Sequence, residues 1–459
     1  MSEKVSIKKT KMESLSELDR KHYLHPTTPA KMHFEQGPSI IVSEGKGINI
    51  KDVKGDEYID AMSMLWNVNL GHGQKELADA AQEQMMKLAY SSSFFGNSHE
   101  TAIQLAEKLA SLTPDDLNVV FYTSGGSESN DTAFKLSRYY WQIKGQPERT
   151  KIIGLERAYH GVTMGATSAT GVREFQNFVN AKAPDFFHAK AHQTNCELGD
   201  KSDPNYEGCI RDIVEKEGPD TIAAVILEPV QGAGGVLFPP EGYMQAVRKL
   251  CDEFGILMIT DEVITGFGRT GKMFGVNNWD VVPDMMTVAK GITSGYSQLG
   301  AVIMKEKIRD EIVKTDDVLF HGFTYSGHPT ACAVALKNLE ILERDNLVVN
   351  AKNMEKVLKD GMAFLEEKHS IVTKTRALGL LGAFELYEDP ASGKPFDPSI
   401  AAAHKVVDEC FKRKLILRTA EWDGDNIVAI APALIVNKQE IENIISILDE
   451  SITAFEMTL

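Results

Sequence analysis

Three apolar runs of the sequence each end in an ionisable side chain. TIAAVIL leads into Glu228, GILMIT into Asp261, and MMTVA into Lys290. A fourth run, NVVFYTS, continues into the glycine- and serine-rich loop GGSESND. Because open α/β sheets bind ligands at the carboxyl ends of their strands, we expect these groups to meet at one edge of a sheet.

The chemistry of these groups points to one cofactor. Lys290 could simply extend to solvent and Asp261 could cap a turn or pair with an arginine, but each also has a functional interpretation. Burial lowers the pKa of a lysine, and a neutral amine attacks an aldehyde. A carboxylate holds a ring nitrogen protonated, and free N–H groups where a helix begins bind phosphate. Pyridoxal 5′-phosphate (PLP) has an aldehyde, a basic ring nitrogen and a phosphate.

A second motif suggests a different class of enzyme. GFGRTG, residues 266–271, satisfies the GxGxxG pattern of dinucleotide-binding proteins and follows a strand. The segment after it, KMFGVNNWD, does not begin an amphipathic helix, which the dinucleotide motif requires. An NAD-dependent oxidoreductase and a catalytically inactive binding protein therefore remain as alternative interpretations.

The elements that position these residues alternate between short apolar strands and amphipathic helices from about residue 100. Runs that are apolar on both faces are typical of a covered, mostly parallel sheet, so we predict an α/β fold. We assign the large α/β domain to residues 76–335 and a smaller α+β domain to residues 336–459. Residues 1–75 form an N-terminal segment predicted to contribute to the small domain and to dimer contacts.

Composition excludes several classes of partner. The chain has 459 residues and a net charge of −16, without the basic stripe of a nucleic-acid-binding protein. No apolar run approaches the roughly 18 residues of a membrane span, and the N-terminus lacks a secretory signal. The five cysteines are odd in number and lack a CxxC pair, so we expect reduced thiols, a cytoplasmic location and no metal site.

Several further motifs bring the sequence close to a known family. ITDEVITGFGRTG, followed by a strand ending in AKGI, together with SGGSESND, RAYHG, ILEPVQG and FTYSGHP in this order, resembles the class III (ω-amino acid) aminotransferases. The resemblance covers nearly the whole chain and implies PLP fold type I, a homodimer with shared active sites, and transfer of an amino group between an amine and a keto acid. It also accounts for GFGRTG as part of the family's own signature.

The resemblance assigns roles residue by residue. Lys290 is expected to form the Schiff base with the cofactor, and Asp261 to contact the pyridine nitrogen. Val263 and Tyr159 are expected to pack on the ring, and Gly125, Gly126 and Ser127 to hold the phosphate. Thr324 is expected to reach the phosphate from the second subunit. The substrate pocket is expected to be lined by Arg418, Trp66, Tyr159 and, from the partner chain, Phe95.

Departures from the family pattern favour one branch. The ornithine and γ-aminobutyrate branches place a glutamate where this chain has Ala233, and ornithine-type enzymes carry glutamine at the position of Ile264. The diaminopelargonate branch typically has aspartate at the position of Val162. Gly125 stands where many relatives have serine. An arginine at 418 without a glutamate at 233 favours an ω-amino acid or amine:pyruvate transaminase; a diaminopelargonate or 4-aminobutyrate-type transaminase and an aminomutase remain alternatives.

Overall fold

The computed structural model describes residues 10–178, 180–190, 192 and 194–459. Its strands are short and follow one another along the chain as follows: β1 Val42–Lys46, β2 Asn49–Asp52, β3 Glu57–Asp60, β4 Leu117–Thr123, β5 Lys151–Leu155, β6 Phe186–Ala189, β7 Ile222–Leu227, β8 Leu257–Asp261, β9 Met285–Val288, β10 Gly300–Lys305, β11 Val372–Leu378, β12 Leu381–Asp389, β13 Lys394–Pro395, β14 Leu415–Ile416, β15 Arg418–Ala420 and β16 Ile427–Ile430.

The helices occupy most of the remaining chain. In order they are α1 Lys11–His22, α2 Ala30–Gln36, α3 Ser63–Trp66, α4 Lys75–Lys87, α5 Glu100–Leu112, α6 Gly126–Ile143, α7 Met164–Ala169, α8 Arg173–Asn177, α9 Thr194–Glu197, α10 Ile210–Glu217, α11 Tyr243–Phe254, α12 Glu306–Val313, α13 Pro329–Arg344, α14 Leu347–Lys368, α15 Ala402–Lys412 and α16 Lys438–Glu456.

A seven-stranded sheet forms the centre of the fold, in the order β4-β10-β9-β8-β7-β5-β6. Only β10 runs antiparallel to its neighbours, so the predicted mostly parallel α/β sheet is confirmed. The central strands are apolar on both faces, which allows helices to cover both sides. Consecutive residues of a strand, such as Val225 and Ile226, accordingly belong to different buried apolar clusters.

Two smaller sheets complete the fold. One has the order β11-β12-β16-β15 and is antiparallel throughout. The other joins the N-terminal strands to the C-terminal third of the chain, because β14 pairs with β3 in parallel. This pairing matters for the site because Arg418 follows β14 by two residues and begins β15.

The GFGRTG loop lies inside the protein and connects distant parts of the chain. Arg269 is fully buried, and its guanidinium donates hydrogen bonds to Ser63 Oγ, to Asn69 Oδ1 and to the carbonyl oxygens of Leu380 and Pro432. A buried arginine needs such partners to offset its desolvation. The loop therefore holds the fold together, and an NAD site at this motif is not supported.

The expectation of reduced thiols throughout is wrong for one pair of cysteines. Cys196 and Cys209, which are 13 positions apart in the sequence, form a disulfide, and both are fully buried. Spacing alone could not reveal the pair, because the intervening chain folds back on itself. Cys251, Cys332 and Cys410 are free, as expected, and all three are buried. Among the described residues, every helix is too short or too polar to cross a bilayer.

Candidate active site

A cavity of about 250 Å³ lies beside the carboxyl ends of the central strands. Eight of the predicted site residues line it: Trp66, Gly126, Ser127, Tyr159, Asp261, Val263, Lys290 and Arg418. Gly125 precedes Gly126 in the same loop, whereas Thr324 and Phe95 lie outside the cavity. The strand-end groups therefore converge at one edge of the sheet, as the alternation of strands and helices predicts.

Lys290 lies two residues beyond β9 in an uncommon backbone conformation. Its φ of 45° places a non-glycine residue in the left-handed region, a conformation that proteins tend to keep at functional sites. Burial lowers the pKa of its amine to about 8, while the negative charges of Asp261 and Glu228 oppose the shift. A substantial fraction of the amine is therefore neutral, and so nucleophilic, in mildly alkaline solution.

The register of the sheet brings Asp261 and Lys290 to the same edge. Strands β8 and β9 are parallel neighbours, and Asp261 lies opposite Thr287. Lys290 follows Thr287 by three residues, immediately after the strand turns away from the sheet. Both side chains consequently line the same cavity.

Asp261 is buried and held by three hydrogen bonds. Asn130 Nδ2 donates to Asp261 Oδ2 at 2.8 Å, His160 Nδ1 lies 2.8 Å from the same oxygen, and the Val263 N–H donates to Oδ1 at 3.0 Å. Thr287 Oγ1 in turn donates to Asn130 Oδ1. A carboxylate with three partners is fixed in position, and Oδ1 keeps a lone pair for a further donor.

The loop before α6 presents backbone N–H groups to the cavity. Gly125 has extended backbone, and α6 begins at Gly126 and runs for 18 residues. The first N–H groups of a helix have no partner within it, and the helix dipole adds positive potential there. Ser127 Oγ accepts the Val162 N–H at 3.1 Å, which ties this loop to the Tyr159–Val162 loop.

Glu228 fixes two walls of the cavity. Its Oε1 accepts the Tyr159 N–H at 3.0 Å, and its Oε2 accepts the Gly232 N–H at 2.8 Å. Burial, helped by the nearby charge of Asp261, raises the pKa of Glu228 to about 7. This carboxyl group therefore shapes the loops that carry Tyr159 and Ala233.

Aromatic side chains form the wall near Arg418. The rings of Tyr159 and Phe175 lie 5.0 Å apart, and those of Phe175 and Trp422 lie 5.9 Å apart. Trp422 Nε1 donates to the Ala233 carbonyl at 2.6 Å. Arg418 is exposed toward the cavity, and within the described part of the chain no carboxylate forms an ion pair with it. Its guanidinium is thus free to receive a carboxylate.

The two remaining predicted residues lie on the surface. Thr324 is exposed and its carbonyl accepts the Tyr90 hydroxyl at 2.7 Å. Phe95 is 99% exposed and has a φ of 59°. Neither residue reaches the cavity of its own chain.

Sequence reasoning missed several residues that line the cavity, among them Asn130, His160, Phe175 and Trp422. Asn130 and His160 lie within motifs that were recognised, one helical turn after Gly126 and directly after Tyr159. Their polar character in otherwise buried positions could have marked them. Phe175 and Trp422 carry no such signal, because 247 residues separate them and only the fold brings them together.

The fold and this site define a transaminase of PLP fold type I. The aminotransferase class-III model matches residues 32–452. Putrescine–pyruvate aminotransferase of Pseudomonas aeruginosa is 36% identical over 441 residues, which cover 94% of each chain. A transaminase crystal structure from the marine bacterium Virgibacillus superposes with a TM-score of 0.94 at 48% identity, covering 97% of this chain and 99% of that one.

A further solved structure agrees with this result. The thermostable (S)-enantioselective omega-transaminase of Thermomicrobium roseum has a TM-score of 0.90 at 40% identity and covers 98% of this chain and 100% of its own. The chain belongs to the class-III aminotransferase family and is a PLP-dependent transaminase.

Proposed function

We propose that this transaminase moves an amino group from an ω-amino acid or a primary amine to pyruvate, by a ping-pong mechanism. The observation that carries the proposal is Arg418, a cavity guanidinium that no described carboxylate neutralises. One free arginine beside aromatic walls accommodates a carboxylate in one half-reaction and an uncharged substituent in the other.

The residues of the cavity fit PLP. Asp261 Oδ1 retains a lone pair for a protonated ring nitrogen, and the start of α6 at Gly126 and Ser127 suits a phosphate. Val263 and Tyr159 line the cavity as faces for an aromatic ring. When bound, PLP supplies the aldehyde that accepts the amine and a cationic ring that spreads carbanion charge.

Lys290 is the group that moves protons. Its lowered pKa leaves a neutral amine that removes a proton from the amine-bearing carbon of the substrate. The same nitrogen returns a proton when the keto acid is aminated in the second half-reaction. Asp261 does not transfer protons in this scheme, because its hydrogen bonds hold the side chain in a fixed position.

The choice of acceptor is tested by single-turnover kinetics. The enzyme is converted to its pyridoxamine form with excess amine, freed of amine, and mixed with pyruvate or 2-oxoglutarate in a stopped-flow instrument. We expect pyruvate to restore the original absorbance at least about tenfold faster, which corresponds to 1.4 kcal/mol. Faster restoration by 2-oxoglutarate would overturn pyruvate as the acceptor. Steady-state conversion of an amino substrate with no keto acid added would indicate an aminomutase.

We also propose a homodimer in which Thr324 and Phe95 complete the active site of the partner subunit. Both residues are exposed and outside the cavity of their own chain. They lie on neighbouring segments, because Tyr90 contacts Thr324 and a Cβ at Gly322 would touch Phe94. Phe320 is 93% exposed beside them, so the patch is apolar enough to pack against a second copy.

Hybrid dimers test this arrangement. A Lys290→Ala chain and a Thr324→Val chain are each expected to be impaired as homodimers. After subunit exchange, the mixed dimer contains one site with both residues intact. Recovery of activity beyond the sum of the two homodimers supports the shared site, whereas no recovery in a verified heterodimer contradicts it.

We also propose that the chain divides into two domains near residue 335 and that the protein is cytoplasmic. Residues 76–335 contain the seven-stranded sheet, and residues 336–459 contain the antiparallel β11–β16 sheet, which supports division near residue 335. Limited proteolysis tests the boundary. A cytoplasmic location is tested by cell fractionation.

A further inference from the structure

A cluster of three side chains that can serve as metal ligands lies in the N-terminal segment, and none of the three lines the active-site cavity. His25 Nε2 lies 2.9 Å from Asp19 Oδ2, and His33 Nε2 lies 2.7 Å from Asp19 Oδ1. One ligand atom from each residue falls within 4.8 Å of the other two. The imidazole rings of His25 and His33 are 4.1 Å apart between centroids. Three ligand atoms this close can contact one metal ion.

His33 gives a second, independent indication of a ligand. Its side chain is only 7% exposed, yet Nε2 has no hydrogen-bond partner. Asp19 Oδ1 likewise lacks a well-directed hydrogen bond, although it lies 2.7 Å from His33 Nε2 and forms an ion pair with it. The atoms touch but their directions do not satisfy a hydrogen bond. A contact with poor hydrogen-bond direction stabilises its two polar atoms less than a well-aligned one, and a metal ion bound by both atoms would satisfy them.

We propose that Asp19, His25 and His33 bind one Zn²⁺ ion. Two imidazoles and one carboxylate are ligands that Zn²⁺ accepts, with water in the fourth position of a tetrahedron. Each of the three residues comes from a different part of the segment: α1, the loop after it, and α2. The expectation of no metal site rested on cysteine spacing, which does not bear on a site built from histidine and aspartate.

The bound ion acts as a clamp beside the active site. It joins α1 to α2 through the loop that contains His25 and Thr27. Thr27 lines the PLP cavity and has a φ of 47°, a strained conformation for a β-branched residue. Fixing His25 two residues away limits the freedom of Thr27, so the metal stabilises this part of the cavity wall.

Metal binding is measured on the untagged PLP-loaded enzyme. The protein is freed of metal with a chelator, titrated with Zn²⁺ by calorimetry, and analysed by mass spectrometry for metal per chain. Co²⁺ is added in a parallel sample to record the visible absorption of a four-coordinate site. We expect about one ion per chain and a higher thermal midpoint with Zn²⁺.

Two variants and two controls assign the ligands. His33→Gln and Asp19→Asn are expected to weaken Zn²⁺ binding by at least about tenfold and to abolish the thermal shift. His22→Gln, which changes an exposed histidine on the same helix, and His404→Gln, which changes an exposed histidine in the C-terminal part of the chain, should bind as the parent does. Circular dichroism without metal verifies the fold. Absence of binding in the parent, or unchanged binding in both ligand variants, overturns the site.

Discussion

His160 Nδ1 and Asp261 Oδ2 lie 2.8 Å apart, and both side chains are buried. Because a carboxylate only accepts hydrogen bonds, the imidazole must donate to it. His160 Nε2 has no partner, so the ring is held by this one contact and by packing. His160 is therefore a positioning residue for the carboxylate that we place at the ring nitrogen of PLP.

Removing this donor should slow catalysis without weakening substrate binding. His160→Leu deletes one hydrogen bond to a charged group, worth roughly 1.5–3 kcal/mol, so kcat is expected to fall about 10- to 100-fold with little change in KM for the amine. His160→Asn keeps an N–H donor and should lose less. Equal losses in both variants, or a change confined to KM, would contradict a positioning role.

The lowered pKa of Lys290 predicts how the stability of the PLP-free protein depends on pH. The amine has a pKa of about 8 in the folded protein and 10.5 when unfolded, so the unfolded chain binds more protons between these values. Below pH 8, burial of the charge lowers the free energy of unfolding by its full amount. This destabilisation disappears as the pH rises to 10.5.

Lys290→Met tests this pH dependence. The variant should be more stable than the parent by about 2–3 kcal/mol below pH 8, and the difference should vanish near pH 10.5. Urea unfolding of both PLP-free proteins at several pH values measures it. A difference independent of pH would mean that the amine is not desolvated.

Two adjacent glycines in the phosphate loop should respond differently to an added methyl group. A Cβ at Gly126 would lie 3.0 and 3.1 Å from the two γ-carbons of Val263, whereas Gly125 has no atom within 4 Å. Gly126→Ala is expected to weaken PLP binding about tenfold by displacing Val263 or the loop. Gly125→Ala is the matched control and should bind PLP as the parent does. If equilibrium dialysis showed that both variants weaken PLP binding equally, the packing argument would be refuted.

Arg418 should matter only for substrates that carry a carboxylate. Arg418→Leu removes a charge-assisted contact and is expected to slow the keto acid half-reaction by roughly 10- to 100-fold. The half-reaction with a primary amine lacking a carboxylate should change little. Stopped-flow traces of both half-reactions separate the effects, and Arg418→Lys should not restore the rate because lysine lacks the bidentate geometry. A loss of the same size with both substrates would argue against carboxylate recognition.

Much of the fold and the centre of the site could be predicted from the sequence. Lys290 and Asp261 were recognisable because each ends an apolar strand, and open α/β sheets bind ligands at the carboxyl ends of their strands. The short strand β6, residues 186–189, was missed because it lacks a strong apolar run. The antiparallel direction of β10 could not be predicted either, because residue patterns do not encode strand direction.

Contacts between distant segments set the limit of prediction. Phe175 and Trp422, Cys196 and Cys209, and the cluster of Asp19 with His33 each depend on how loops return to one another. No periodicity marks such pairs, since each loop is stabilised by local turns and by the packing of neighbouring helices. Ala233 was noted from the family pattern, but its hydrogen bond from Trp422 emerges only in the folded chain.

The central claim is that Lys290 holds PLP covalently. Reduction of the PLP-loaded enzyme with borohydride, followed by proteolysis and mass spectrometry, tests it directly. We predict loss of the yellow colour and a pyridoxyl group on the peptide that contains Lys290, with no labelled peptide from Lys290→Ala. A pyridoxyl group on another lysine of the parent, or none on any peptide, would contradict the account.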